Sequence, residues 1–320
     1  MALTVAVQMD PLESINISGD STFALMLKAQ ERGHRLYHYL AEALTFRDDR
    51  LCADAHEVSV QAVAGNHFSL GASARLDLGS DVDVVLMRQD PPFDLGYITA
   101  THLLERIKHE TLVVNDPAAV RNAPEKVWVL DFARFMPPTM ITRSLEAARK
   151  FAAKHGEVVI KPLHGNAGKA VFKVGRDGGN LAPLMELFNA TYREPHVVQA
   201  FLPEVADGDK RIVLVEGEVA GAINRRPAKG DIRSNLAAGG TAEATDLTGS
   251  ERAICAALAP ELRRRGLLFV GIDIIGGRWL TEINVTSPTG IVSIDQFSGT
   301  DTPGLIWDAI EARLAARSAA

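Results

Sequence analysis

Residues 267–289 read LLFVGIDIIGGRWLTEINVTSPT, and they set ionisable groups into a run otherwise built like a buried strand. Leu267, Leu268, Phe269, Val270, Ile272, Ile274 and Ile275 form a near-continuous apolar segment suited to a strand covered on both faces, and Asp273 interrupts it. Gly276-Gly277 is a two-residue hairpin turn signal, and residues 278–285 read as the returning strand. A turn closed on that glycine pair sets Ile275 opposite Arg278 and Asp273 opposite Leu280. The period of two then puts Asp273, Leu280, Glu282 and Asn284 on one face. Diagonal neighbours on a sheet face lie ~7–8 Å apart, a workable span for one or two hard cations. Oxygen-only ligands favour magnesium that shares its sphere with water and substrate phosphates. The plainer arrangement that the same spacing allows is Asp273 paired with an arginine, with Glu282 and Asn284 on a solvated edge.

At 320 residues and 47% hydrophobic content the chain can bury a substantial core, and its length predicts two or three domains. Net charge is -6 and the longest run of like charge is Arg263-Arg264-Arg265, so the expected partner is a small molecule and not nucleic acid. No stretch reaches about 18 apolar residues, and the apolar residues 2–8 lack a basic leader; a soluble, cytoplasmic protein with no membrane partner is expected. Cys52 and Cys255 stand far apart without a C-x-x-C and read as buried free thiols. The nine histidines show no H-E-x-x-H and no zinc-like spacing, which argues against a zinc enzyme.

Residues 3–7 read as a first strand, 21–32 as a helix, and 34–39 and 82–87 as further strands, the last running into Arg88-Gln-Asp-Pro-Pro-Phe-Asp94. This alternation is that of a doubly wound sheet, whose ligands collect at the carboxyl ends of strands. Asp20 or Ser21 can cap the helix at 21, and the free N–H groups there also suit a carboxylate ligand. Arg88, presented beside a Pro-Pro pair, carries the group best shaped to hold a carboxylate through two hydrogen bonds. A helix at 99–108, a strand at 112–115 and a stretch to Pro124 close this unit.

A second unit begins near Glu125, with Lys126 at the start of a helix, a strand at 139–142 and an amphipathic helix at 144–155. Residues 158–172 read as a strand ending in Lys161, a small flexible loop and another strand. Gly165, Ala167 and Gly168 let backbone N–H groups approach an anion, with Lys161 beside them. The loop is not a P-loop, because Leu163 and Ala170 occupy the positions of its first glycine and its hydroxyl. A strand at 197–203 leaves this unit with backbone that could pair with an adenine edge.

In a third unit, residues 209–215 and 219–224 read as antiparallel strands turning at Gly217. Residues 226–241 follow, a long segment made basic by Arg226, Lys229 and Arg233 with Arg225 beside it, readable as a mobile lid or as a solvated surface loop. As a lid it should be open to trypsin after Arg226, Lys229 or Arg233 when no ligand is bound. A helix at 251–265, capped by Ser250 and kinked at Pro260, precedes the central hairpin. A terminal helix at 302–317 has Leu305, Ile306, Ala309, Ile310 and Leu314 on one face.

Taken together, the runs MDPLESINISGDSTFA, LMRQDPPFD, VIKPLHGNAG, DGDKRI, SNLAAGGT, FVGIDIIGGR and LTEINVTSPTGI, with DAIEARL near the end, resemble the bacterial glutathione synthetase family of the ATP-grasp superfamily. The resemblance implies a mixed α/β and α+β architecture, the ATP-grasp fold. It places a doubly wound sheet domain at 1–122, a central ATP-grasp lid domain at 123–203 and a C-terminal catalytic domain at 204–320. It implies ligation of γ-L-glutamyl-L-cysteine to glycine with cleavage of ATP to ADP, through an acyl phosphate, by a homotetramer that uses magnesium or, alternatively, manganese. Lys126, Lys161, Gln199, Leu202 and Asp209 match nucleotide contacts, beside the loop glycines Gly165 and Gly168. Asp273, Glu282 and Asn284 match metal ligands, in agreement with the face read above. Asp20, Ser21, Arg88, Ser287 and Thr289 match substrate-side residues, and residues 226–241 match the lid. Arg211, Arg225 and Arg233 are the cations expected to neutralise charge during the reaction.

The sequence departs from the family pattern at His164, where an aspartate is expected, and at Asn166 and Ala167, where more glycine is expected; the turn at 276–280 is one residue longer. A different ATP-grasp ligase, joining D-alanines or adding glutamate to a peptide, would keep the magnesium face and change the N-terminal loops, and Arg88 with the Asp20-Ser21 loop argues against it. A non-catalytic ATP-binding module should lose a metal carboxylate, and both are retained.

Overall fold

The computed structural model describes residues 2–319. Its first sheet has seven strands: β1 (Thr4–Gln8), β2 (Arg35–Tyr39), β3 (Leu44–Arg47), β4 (Arg50–Val60), β5 (Phe68–Asp77), β6 (Val84–Met87) and β7 (Leu112–Val114). The apolar strands β1 and β6 run parallel at its centre, flanked by parallel β2 and β7. Such strands need cover on both faces. Val5 and Val7 pack with Phe23 and Met26 of α1 (Ser21–Glu31), whereas Ala6 and Val85 pack with Leu104 of α2 (Leu95–Glu105) and Val120 of α3 (Pro117–Arg121). The expected doubly wound sheet is therefore present. An antiparallel flank, β2–β4 with β3 and β5 along β4, occupies a stretch the sequence reading left unassigned. Alternation of buried Leu51, Ala53 and Ala55 with more exposed neighbours is its signature.

The middle sheet comprises β8 (Thr139–Thr142), β9 (Val158–Pro162), β10 (Phe172–Val174) and β11 (His196–Ala200), antiparallel in the order β10-β9-β11-β8. It is entered through α4 (Glu125–Trp128) and covered by α5 (Leu145–His155) and α6 (Leu181–Thr191), which bury Phe151, Met185 and Phe188 against Val158 and Ile160 in a core of their own.

The third sheet runs β14-β13-β12-β15-β16, from β12 (Asp209–Val215), β13 (Glu218–Arg226), β14 (Thr241–Ala244), β15 (Phe269–Ile275) and β16 (Trp279–Asn284). Helices α7 (Gly249–Arg265), α8 (Ile291–Ser298) and α9 (Thr302–Ser318) pack around it. This sheet shares its core with the first one. Trp307, Ile306 and Ile310 of α9 join the cluster that holds Val5, Phe23 and Met26, and the Trp307 indole N–H donates to the Leu25 carbonyl at 2.9 Å. Asn115, after β7, donates to the carbonyls of Phe269 and Val285 and accepts from the Phe269 N–H. Among the described residues, no helix is long and apolar enough to cross a membrane.

Several expectations need correction. The central hairpin closes on three residues, with Ile275 opposite Trp279 and Ile274 opposite Leu280, and a bulge then sets Asp273 opposite Glu282 and Gly271 opposite Asn284. The longer turn alone would have swung Glu282 and Asn284 away from Asp273; the bulge at Thr281 restores them. Leu280 leaves the polar face for the core beside Ile272 and Ile274. Helix α7 is capped by Thr248 and not Ser250, in a capping box where Thr248 Oγ1 accepts from Glu251 N–H and Glu251 returns a bond to Thr248 N–H. On α9 it is Trp307 that is buried, and Leu305 faces out. Both cysteines are free, but Cys52 is only half-buried.

Candidate active site

Register in the third sheet lines up the charges. Arg211 on β12 opposes Asp273 on β15, which opposes Glu282 on β16, while Arg225 on β13 opposes Asp209 on β12. Arg211 forks onto Asp273 at 2.6 and 3.0 Å and reaches the Thr289 carbonyl at 3.1 Å. Arg225 donates to Asp209 at 2.6 Å and brings its second nitrogen within 3.0 Å of Asp273. The middle sheet adds Lys161, 3.2 Å from Glu282. From α4, Lys126 lies 3.5 Å from Glu282 and contacts its neighbour Glu125 and the Gly165 carbonyl.

Lys126, Lys161, Arg211 and Arg225 thus face Glu125, Asp209, Asp273 and Glu282, an array with no net charge. Burial opposes ionisation of Asp273, but the guanidinium groups of Arg211 and Arg225 outweigh it and hold the carboxyl below the usual range. Glu282 is likewise held low, burial being outweighed by Lys126 and Lys161. At Glu125 and Asp209 burial wins over Lys126 and Arg225 respectively, and both carboxyls are pushed up. Burial would lower Lys126, but Glu125 and Glu282 raise it, so it stays charged.

These charges line a cavity of 340 Å³ at the meeting of the middle and third sheets. Of the residues singled out from the sequence, Lys126, Lys161, Gly165, Gly168, Gln199, Leu202, Asp209, Arg211, Arg225, Arg233, Asp273, Glu282, Asn284, Ser287 and Thr289 all reach its wall. Asp20, Ser21 and Arg88 stand behind it. Asp20 caps α1 by accepting from Phe23 N–H, and Ser21 Oγ accepts from Gly290 N–H. Arg88, 5% exposed, donates to Thr22 Oγ1 and to the Pro288 carbonyl, leaving Nη1 without a partner among the described residues. At the opposite end, the Ala200 and Phe201 N–H groups bond to Pro138 and Glu157, whereas the Leu202 N–H has no protein acceptor among the described residues. Gln199 is oriented by its bond to Thr139 Oγ1 at 2.8 Å.

In the glycine-bearing loop the sequence departure has a conformational cost. Ala167 and Ala170 adopt φ of 53 and 54, left-handed values that favour glycine. His164 stacks on Phe93 of the N-terminal loop with ring centroids 5.7 Å apart, so this loop touches the first unit.

Asp273, Glu282 and Asn284 are the oxygen donors a hard cation would use, two carboxylates and an amide, although both Asp273 oxygens are engaged here by Arg211, Arg225 and the Asn284 amide, the plainer pairing that the sequence spacing also allowed; among the described residues no three His, Cys, Asp or Glu side chains form a group that could hold a metal. The donor chemistry fits magnesium. Glu282 accepts through Oε1 alone, which leaves Oε2 available, and the Asn284 amide sits 3.4 Å from Asp273. Glu125 was missed from sequence, where an acid in a first helical turn reads as ordinary complement to the helix dipole.

The sequence profile of the prokaryotic glutathione synthetase N-terminal domain matches residues 3–121, and that of the prokaryotic glutathione synthetase ATP-grasp domain matches residues 125–299. The glutathione synthetase of Rhodopseudomonas palustris is 57% identical over 315 residues, covering 98% of this chain and 100% of the relative. That of Agrobacterium fabrum is 53% identical over 96% of each chain. Among solved structures, the D-cycloserine synthetase DcsG superposes with a TM-score of 0.68 over 97% of this chain and 99% of its own, at 19% identity, a likeness of fold. The ATP-grasp ligase PsnB, in a complex with Mg and ADP, gives a TM-score of 0.62 at 18% identity, covering 98% of each chain. With both profiles matched end to end across the charged cavity, the chain belongs to the prokaryotic glutathione synthetase family.

Proposed function

We propose that this chain joins γ-L-glutamyl-L-cysteine to glycine, forming glutathione with release of ADP and phosphate. The observation that carries the reading is the neutral array of four cations and four carboxylates inside one cavity that two sheets and a phosphate-type loop enclose. A carboxylate is a poor acylating agent, so the cysteinyl carboxylate first attacks the γ-phosphorus of ATP, and the P–O bond to ADP breaks. Charge builds on phosphoryl oxygens in that step, and pre-positioned cations stabilise it without reorganising. Lys126, Lys161, Arg211 and Arg225 take this role, while Leu202 N–H and Gln199 orient the adenine end and Asp209 the ribose. Asp273, Glu282 and Asn284 would hold magnesium, whose chemistry when bound is to neutralise phosphate charge and align its oxygens. The glycine amine then attacks the acyl phosphate, phosphate leaves, and Arg233 on the lid stabilises the oxyanion while closure excludes water.

The same reading divides the chain at 1–122, 123–203 and 204–320, and carries with it a cytoplasmic homotetramer and no nucleic-acid partner. Incubating the protein with ATP, magnesium and panels of dipeptides and amino acids, while following ADP and peptide products, tests it. Preference for another dipeptide, or for a single amino acid in its place, would move the chain to a different ligation.

We assign the free Nη1 of Arg88 to an acceptor carboxylate. Arg88→Lys keeps the charge but loses the fork, so the KM for γ-glutamylcysteine should rise by roughly 10- to 100-fold with the KM for ATP unchanged. Equal increases for both substrates would remove Arg88 from the acceptor site.

A further inference from the structure

Two loops that carry different parts of the site meet in an aromatic contact. Residues 88–94 leave β6 tied down along their length: Arg88 N–H donates to the Gln8 carbonyl at 2.8 Å, Asp90 N–H donates to Asp10 Oδ2 at 2.7 Å, and Asp94 caps α2 by accepting from Tyr97 N–H at 2.9 Å. Between these ties stands Phe93. Its ring meets buried Tyr97 with centroids 5.4 Å apart and His164 with centroids 5.7 Å apart, the latter pair inclined at 37°. A cavity of 20 Å³ lies beside the contact, walled by Pro91, Pro124, Glu125 and Thr286 as well as the two rings, so the loops touch across a gap and not through a packed core.

The glycine-bearing loop needs outside support to stay docked. Its form holds Ala167 and Ala170 at left-handed φ, a cost that its internal bond from Lys169 N–H to the Asn166 carbonyl offsets only in part. Lys126 Nζ donates to the Gly165 carbonyl at 2.6 Å, one residue from His164, and lies 3.5 Å from Glu282. His164 itself acts as an uncharged ring: burial lowers its pKa more than Glu194 raises it, and Lys126 lowers it further. The aspartate that the family pattern leads one to expect at this position could make no such contact with Phe93.

We infer that the Phe93–His164 contact couples the two substrates, joining the loop that carries Arg88 to the loop that faces the phosphates, so that a ligand ordering either loop favours the docked position of the other. The inference deepens the ligase reading above and rests on it for the identity of the ligands. Phe93 and His164 are positioning residues, and neither touches a reacting atom. Such coupling is reciprocal, and one aromatic pair supports a factor of roughly two to ten in each affinity.

Calorimetric titration reads the coupling without turnover. With magnesium and AMPPNP, an ATP analogue that is not cleaved, saturating γ-glutamylcysteine should lower the Kd of the analogue by that factor in the unaltered protein. In His164→Ala and Phe93→Ala the factor should fall to about one while both ligands still bind, and His164→Tyr should keep it. The double variant should lose no more than either single one. A merely structural contact would weaken both ligands and leave the factor intact; that result, or no mutual effect in the unaltered protein, overturns the inference. Hydrogen exchange over residues 163–170 with AMPPNP and magnesium bound should quicken by a similar factor in Phe93→Ala. If γ-glutamylcysteine does not bind the unaltered protein, the ligase reading fails, and the exchange measurement then decides alone: unchanged exchange overturns the role of the contact, and faster exchange upholds it.

Discussion

Glu282→Gln should lower ADP formation by about two to three orders of magnitude while leaving the fold in place. Glutamine keeps the shape of the side chain but removes the charge that Lys126 and Lys161 face at 3.5 and 3.2 Å, together with the unused carboxylate oxygen. Lys126 retains Glu125 as a partner, so the loss falls on Lys161 and on cation binding. Raising the magnesium concentration should recover only a small part of the rate. Unfolding followed by circular dichroism separates the two effects, and turnover like that of the unaltered protein would take Glu282 out of the site.

Asp273→Asn has a different signature, because Asp273 is 3% exposed and holds two buried guanidinium groups. Leaving Arg211 and Arg225 short of a counter-charge should cost about 3–5 kcal/mol at neutral pH. The native pKa of Asp273 is depressed, so its contribution is fully present above the unfolded value of about 4 and is lost as pH falls through the lower native value. The stability gap between the two proteins should therefore narrow below about pH 4. Glu125 and Asp209, raised in the native state, act with the opposite sign, their protonated forms favouring the fold in acid. Asp273 is itself one of the charges that raise both, so its removal relieves part of that upward push at neutral pH and offsets part of the gap. Urea unfolding at pH 7, 4 and 2.5 measures this, and a gap constant across that range would mean that Asp273 is not the group holding the arginines.

Much of this could be read from residue order, for reasons that differ by element. The apolar runs of β1, β6 and β15 were legible because burial on both faces leaves a direct pattern. Asp273, Glu282 and Asn284 were placed on one face through a wrong register: the short turn assumed in place of the observed three-residue turn was compensated by a bulge at Thr281 that no local signal announced. Leu280 was the visible casualty. The capping box at Thr248 and Glu251 was present in the residues and overlooked, whereas burial of Trp307 depends on the distant α1 and has no local signature. The charges were named singly, but their pairing into a neutral set arises only when β12, β13, β15, β16 and α4 come together. Resemblance supplied Asp209 and Gln199, for which spacing gave no reason.

The packing of α9 on α1 also bears on how the chain is made. Residues 302–318 are synthesised long after residues 4–26, yet Ile306, Trp307 and Ile310 complete the apolar cluster around Val5, Phe23 and Met26. At about 5–20 residues per second, the interval between the end of the first sheet and the arrival of α9 is roughly 10 to 40 s. Throughout that time the nascent N-terminal region lacks part of its cover, while the middle sheet, with its separate core, can fold as soon as it emerges. The order of folding therefore need not follow the order of translation. A chain ending at Gly299 should show hydrogen exchange over β1 and α1 close to that of an unfolded segment, with protection in the middle sheet retained. Native protection of β1 in that truncated chain would mean that the first sheet is finished without its last helix.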